Sequence, residues 1–169
     1  HVPTLAPELE ARFPLMRNFA GVATDGSGAL ARFSWGYLGF YGFVFNNGEK
    51  GDIRIDPAYA NNKTAYIAFA KRNAKMIGNY VEGEIVGMTE KMRSDMVGSM
   101  PTANRSTGNT LRTYRTAIAA NAEYSNFFTA VQDVAVVQSA INASANRVSG
   151  IYEKEVGVRL QMIANNTSI

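Results

Sequence analysis

The chain has 169 residues, of which 46% are hydrophobic and 18% are charged, a balance that allows a folded core and excludes intrinsic disorder. This length holds one ordinary domain, or one small domain plus part of another. The net charge of +3 and the pI near 9.2 are mildly basic, and Lys and Arg are spread thinly, which does not indicate a nucleic-acid-binding face. The absence of cysteine excludes disulfides, thiolate zinc sites and a cysteine nucleophile within the chain. No apolar run approaches the roughly 20 residues that span a bilayer.

The first part of the chain alternates in the manner of half-buried strands, which predicts an antiparallel β meander over residues 17–73 after a short helical opening at 7–13. Asn46-Asn47-Gly48 tolerates positive φ and predicts a hairpin turn. The strands are predicted at residues 29–35, 39–45, 52–56 and 64–69.

The aromatic residues of this meander are predicted to fill the core of a small sheet. A stacking platform for sugars or single-stranded nucleic acid is the alternative. The residues concerned are Phe33, Trp35, Tyr37, Phe40, Tyr41, Phe43 and Phe45.

Residues 74–105 have no sustained hydrophobic period, and we predict only poorly defined helix and linker there. Five methionines are scattered through this region and are interpreted as adaptable filler rather than a groove lining. Residues 100–109 read Met-Pro-Thr-Ala-Asn-Arg-Ser-Thr-Gly-Asn, the composition of an exposed linker. We therefore predict a boundary at about residue 105.

The C-terminal part predicts a strand over residues 111–119, a helix over 128–155 that ends at Gly157, and a strand over 158–163. A strand, a helix and a strand in this order predict a βαβ unit, which has a right-handed crossover and a parallel pair of strands. Its sheet needs more strands, and the chain starts at His1, so we expect the sequence to be a piece of a longer protein. The apolar positions assigned to the helix are Val131, Val134, Ala135, Ile141, Ala145, Val148 and Tyr152.

Catalytic residues are not indicated by the sequence. His1 is the single histidine, and the zinc-binding helix motif with two histidines four residues apart is absent. Asp52 and Asp56 bracket one predicted strand and should face the same side. We interpret them as solvent-facing residues, with a general acid/base pair as the alternative. The same two interpretations apply to the carboxylates at positions 82 and 84.

Two stretches carry a recognisable sequence. Residues 111–120 are followed by Glu123-Tyr124, and residues 141–155 read Ile-Asn-Ala-Ser-Ala-Asn-Arg-Val-Ser-Gly-Ile-Tyr-Glu-Lys-Glu before a strand that leads to Asn165-Asn166. Together they resemble the opening strand, first helix and second strand of bacterial reprolysin-like metallopeptidases, a group of metzincins. Further upstream, shorter runs resemble the pro-region of such proteins. These runs are residues 8–14, 19–22, 31–33, 38–40, 55–57 and 81–84.

The resemblance implies an α+β protein. Residues 1–105 would be a small antiparallel β pro-region, and residues 106–169 the opening β-α-β unit of an α/β metzincin-type catalytic domain. The parent would be a secreted zinc endopeptidase that cleaves proteins or peptides, with three histidines holding zinc and a glutamate as general base. These residues are expected beyond Ile169, so no catalytic, cofactor-binding or metal-binding residue is placed in this chain, and it is expected to bind no zinc and to be inactive alone.

The pro-region would aid folding, dock on its own catalytic domain and hold the protease latent. Occlusion of the cleft by the residues before Thr110 is the expected mechanism of latency, with zinc ligation by Asp95 as the alternative. Cleavage near Arg105 or Arg112 is expected to release the pro-region, because of the linker composition there. Neither nucleic acid nor a membrane is expected as a partner. A non-catalytic, β-rich binding or adhesion module of a secreted protein is the alternative function.

Overall fold

The computed structural model describes residues 1–45, 48–59, 62–74, 110–131 and 133–168. Residues 1–74 and 106–169 belong to one compact unit. The second unit, residues 75–105, lies outside the described part of the chain, as does the predicted linker at 100–109. The predicted boundary at about residue 105 therefore stays a prediction.

The compact unit contains three helices and seven strands among its described residues. The helices are α1 (Pro7–Arg12), α2 (Ala122–Phe128) and α3 (Val134–Val156). The strands are β1 (Arg17–Val22), β2 (Leu30–Gly36), β3 (Gly39–Phe45), β4 (Ile53–Pro57), β5 (Tyr66–Ala70), β6 (Arg112–Thr116) and β7 (Val158–Met162).

Strands β1 to β5 form an antiparallel sheet in sequential order, here called the N-terminal sheet. The predicted meander is thus confirmed, and so is the α+β character of the chain. Strand β1 was not predicted as a strand. Its residues pair with six of the seven residues of β2, from Arg17 opposite Trp35 to Val22 opposite Leu30.

The two faces of the N-terminal sheet differ in chemistry. The strand register places Asn18, Arg32, Ser34, Tyr41 and Asp56 on the face that meets helix α3. Phe43 and Phe45 share that face, and because side chains alternate along a strand, the opposite face carries a separate set of apolar and aromatic residues. These are Phe19, Phe33, Trp35, Phe40, Ile53, Ile55 and Tyr66.

The predicted aromatic core is only partly confirmed. Phe43 and Phe45 are buried on the helix-facing side. Trp35 is 45% exposed, so its assignment to the core was wrong. The pleat turns Trp35 to the outer face, where it lies in a row of rings with Phe33 and Phe40.

Strands β6 and β7 pair in parallel, and α2 and α3 connect them along the chain. This confirms a strand–helix–strand arrangement. The predicted start of the long helix at residue 128 was wrong, because α2 ends there and α3 begins at Val134. Asp133 sets this start, since its carboxylate accepts hydrogen bonds from the amides of Ala135 (2.8 Å) and Val136 (3.4 Å). Gly157 ends α3 in the left-handed conformation, with φ of 65°.

A single hydrophobic cluster joins the N-terminal residues to the strand–helix–strand unit. The segment before α1 runs beside β7, where the Ala6 amide donates to the Met162 carbonyl and the Met162 amide donates to the Thr4 carbonyl, both at 2.8 Å. The cluster consists of Leu5, Leu9, Phe13, Met16, Ile141, Ala145 and Met162. Within the described ranges, no helix is long and apolar enough to cross a membrane.

Candidate functional site

The candidate site residues named from the sequence do not come together at one site in the described part of the chain. Arg112 opens strand β6 with an exposed side chain, and its amide donates to the Gly157 carbonyl at 2.8 Å. Asp56 lies in β4 and faces helix α3, whereas Asp52 precedes that strand. The interpretation of Asp56 as solvent-facing was wrong, because Arg54 and Arg147 form ion pairs with its carboxylate. The residues at positions 82, 84, 95 and 105 lie outside the described part of the chain.

Zinc does not fit the described residues. Nowhere among them do three or more His, Cys, Asp or Glu side chains come close enough to hold a metal ion. His1 instead contacts the carboxylate of Glu10 at 2.9 Å. Buried polar and charged side chains instead gather in the contact between the N-terminal sheet and helix α3.

The inward face of α3 carries a line of polar residues, of which Asn142, Asn146 and Glu153 bond to the N-terminal sheet, whereas Gln138 and Ser149 bond to β7. Asn142 and Asn146 are each 1% exposed, and Ser149 is fully buried. The polar residues recur three or four positions apart, so they form one line along the helix. This line, here called the polar stripe, consists of Gln138, Asn142, Asn146, Ser149 and Glu153.

The centre of the contact is a network of side-chain amides. Asn18 of β1 and Asn142 of α3 exchange two hydrogen bonds, of 2.7 and 3.1 Å. Ser34 donates to the Oδ1 atom of Asn18 at 2.9 Å and accepts from Asn146 at 2.9 Å. Asn146 also donates to the carbonyl of Phe33 (3.0 Å). A buried amide that loses its partner costs free energy, so this network fixes the register of the helix on the sheet.

At the C-terminal end of α3, Glu153 lies between two arginines. Arg32 of β2 contacts its Oε2 atom at 2.6 Å, and Arg159 of β7 donates to both carboxylate oxygens at 2.8 and 3.1 Å. Burial alone would raise the pKa of Glu153, but the hydrogen bonds and charges of Arg159 and Arg32 outweigh burial and hold that pKa below its ordinary value. The hydrogen bond from Arg159 to Glu153 in turn raises the pKa of Arg159.

A second carboxylate between two arginines lies nearer the middle of α3, and its contacts are longer. Asp56 is 3.4 Å from Arg54 and 3.4 Å from Arg147. Burial, and then repulsion by Arg54, lower the pKa of Arg147. Burial, and then the charge of Asp56, raise the pKa of the neighbouring Tyr41 hydroxyl. This group of charges is therefore only loosely neutralised.

Asn166 ties the end of β7 to the rest of the unit. Its side chain accepts from the amide of Ile118 (2.8 Å) and donates to the carbonyl of Ile118 and to Gln138, both at 3.2 Å. Asn166 is 3% exposed. One buried amide thus connects the segment after β6, helix α3 and the segment after β7.

The polar stripe was missed because the helix was interpreted from its apolar positions. Ile141 and Ala145 do lie in the core, but Val131 is 84% exposed and lies before α3, and Val148 and Tyr152 are also exposed. The signal was present in the sequence as the recurring polar residues of the stripe. They were passed over because a helix is expected to bury its apolar face.

A comparison with protein families gives one match. Residues 110–169, about a third of the chain, match the model of the family described as metallo-peptidase family M12B, reprolysin-like. No curated protein and no solved structure matches the chain. The matched residues comprise β6, α2, α3 and β7, so α3 with its polar stripe belongs to the matched segment. The resemblance that residues 110–169 bear to reprolysin-like metallopeptidases is therefore confirmed.

Proposed function

We propose that this chain is part of the precursor of a secreted zinc-dependent endopeptidase, and that residues 1–105 form its pro-region. The family match relates residues 110–169 to metallopeptidases, which are hydrolases, and the M12B family is in general zinc-dependent. Proteins or peptides would be the substrates of the parent enzyme. Zinc and the groups that act on the peptide bond would come from sequence beyond residue 169.

The observation that carries this proposal is the polar contact between the N-terminal sheet and α3. A permanent core is mostly apolar, whereas separable interfaces have the polar character of ordinary protein surface. Here polar groups from both sides meet beside the buried rings of Phe43 and Phe45: Asn18, Ser34 and Arg32 on the sheet bond to Asn142, Asn146 and Glu153 on the helix. Once the sheet is released, water can take the place of these hydrogen bonds on both surfaces.

The same contact gives the pro-region a role in folding. A helix whose inward face is polar gains little from burial against apolar surface, and most helical stability comes from tertiary packing. The N-terminal sheet supplies fixed donors and acceptors along several turns of α3, from Asn142 to Glu153. The sheet would therefore hold α3 in place while the rest of the catalytic domain folds, and would keep the protease latent until cleavage.

The experiment is to express the protein through its full natural reading frame and to measure zinc content and casein cleavage beside the 169-residue chain. We expect about one zinc per longer chain, since catalytic zinc sites hold a single ion, and casein cleavage after processing. The 169-residue chain is expected to show neither. A longer protein that binds no metal and cleaves no peptide would contradict the proposal and favour a non-catalytic binding module.

A further inference from the structure

A pocket of about 470 Å³ lies between the N-terminal sheet and helices α2 and α3. Its size falls in the range of small-molecule sites, which are mostly apolar with a few polar groups that orient the ligand. Its charged groups are Arg54 and Asp56 from β4 and Arg147 from α3. Its apolar wall is formed by Leu38, Pro57, Phe127, Phe128, Ala140 and Ala143.

The arginines of this pocket have hydrogen-bonding capacity that Asp56 does not use. Charge-assisted N–H···O bonds are typically about 2.7–2.9 Å long, and Arg32 and Arg159 approach Glu153 to 2.6 and 2.8 Å. Both arginines at Asp56 remain at 3.4 Å. The Nε atoms of Arg54 and Arg147, like that of Arg32, are buried and find no acceptor among the described residues, but only Arg54 and Arg147 line this pocket. A guanidinium has five donors, and these two Nε donors are the ones that a ligand with acceptor oxygens could satisfy.

The charge of the pocket selects the kind of anion. Two guanidiniums and one carboxylate leave one positive charge, which suits a monoanion better than a dianion. Rings lie beside the charges: Arg147 lies 5.8 Å from the ring centroid of Phe43, and Phe127 is 81% exposed at the pocket wall. An exposed aromatic ring in the same pocket as two guanidiniums with unpartnered Nε atoms fits a molecule that has an apolar group close to its negative charge.

We propose that this pocket binds a small amphipathic carboxylate of net charge −1, such as an apolar amino acid whose amino group is acylated. The carboxylate would accept hydrogen bonds from Arg54 and Arg147, and the apolar group would pack on Phe127 and Phe128. Because the ligand touches both β4 and α3, it would stabilise the contact between sheet and helix by mass action. The pocket would bind such a ligand whether or not the chain belongs to a peptidase precursor.

The test adds three probes to the 169-residue chain and monitors binding by the NMR shifts of the backbone amides of residues 54–56 and 143–147. The probes are N-acetylphenylalanine, its neutral amide, and phenyl phosphate as a dianion. Hydrogen bonds to charged groups contribute about 1.5–3 kcal/mol, so the amide should bind about 10- to 100-fold more weakly than the acid. Phenyl phosphate should bind no better than the acid.

Two variants and a control locate the binding. Arg147→Lys keeps the charge but loses the planar fork of donors and should weaken acid binding about tenfold. Phe127→Ser alters a side chain that is already exposed, so it should fold like the parent chain and bind the acid several-fold more weakly. The control Arg115→Gln, on the exposed face of β6, should bind like the parent. Far-UV circular dichroism checks the fold of each variant.

Three results would overturn the assignment. Equal binding of acid and amide would show that the arginines take no part. Tighter binding of phenyl phosphate would show that the pocket prefers a dianion. Unchanged acid binding in a folded Phe127→Ser chain would place the ligand elsewhere.

Discussion

The two asparagines Asn18 and Asn142 show how a buried polar pair can hold an interface together. Each amide offers its partner one donor and one acceptor, so that neither is left unsatisfied at 2% and 1% exposure. Replacing Asn142 leaves the Nδ2 donor of Asn18 buried without its acceptor, and replacing Asn18 leaves Asn142 without either bond, which costs more than removing both amides. The pair should therefore act as a unit.

We expect Asn142→Leu to lower the free energy of unfolding by about 1–3 kcal/mol, the cost of an unsatisfied buried amide. The double variant Asn18→Leu/Asn142→Leu should lose less than the sum of the two single changes, because it removes both halves of the pair. Urea unfolding of the four chains measures this coupling. Strictly additive losses would mean that the two amides do not depend on each other.

Glu153 should make the contact sensitive to acid. Its folded pKa is lowered by Arg159 and Arg32 against the opposing effect of burial, so ionised Glu153 stabilises the folded state above its unfolded pKa. This contribution is lost as the pH falls through the folded pKa, below the ordinary glutamate value of about 4.3. Glu153→Gln should therefore be less stable than the parent at pH 7, and the difference should shrink toward pH 3. An unfolding difference that stays constant with pH would contradict this.

At the scale of elements, the N-terminus of helix α3 is stabilised by the exposed carboxylate of Asp133. Asp133→Ala removes the acceptor for the amides of Ala135 and Val136 and should cost about 1 kcal/mol of stability. Asp133→Ser keeps an acceptor at the same position and should recover most of that loss. Thermal unfolding of the two variants gives the comparison. Equal destabilisation by Ala and Ser would show that the cap is not the cause.

Helix α3 also contains a glycine, Gly150, whose replacement by alanine should lower the stability of the chain, the opposite of the usual effect in a helix. Alanine in place of a helical glycine normally stabilises by up to about 1 kcal/mol. At Gly150, however, a Cβ atom would lie 2.6 Å from Cγ and 2.7 Å from Nε of Arg32, whose guanidinium holds Glu153. Gly150→Ala should therefore destabilise the chain in urea unfolding. A stabilised Gly150→Ala chain would show that Arg32 can move aside at little cost.

The positions of the strands and helices could be predicted from the sequence more readily than which side of each one is buried. Alternation identified the strands at 29–35 and 39–45, since a period of two is visible whichever face is buried. It could not show that Ser34 and Arg32 point toward α3 while Trp35 points away, because burial of polar residues depends on partners more than a hundred positions along the chain. The interface was missed for the same reason. Arg147 and Asp56 were each visible, but nothing in the sequence indicated that they meet.

At the scale of the whole molecule, the chain combines two kinds of contact. Leu5, Leu9 and Phe13 join the N-terminal residues to Met162 through an apolar cluster, while the sheet meets α3 through amides and ion pairs. Apolar burial gives such a unit most of its stability, and the polar contact gives it a defined register. If residues 1–105 are a pro-region, its release requires both the loss of the apolar anchor and the hydration of the polar stripe.

The most direct test of this account is the N-terminal sequence of the active enzyme, purified after expression through the full reading frame. We predict a start between residues 100 and 112, near Arg105 or Arg112, with the N-terminal sheet absent from the active form. An active enzyme that still carries residues 1–74 would contradict the account, because the sheet would then be a permanent part of the catalytic unit.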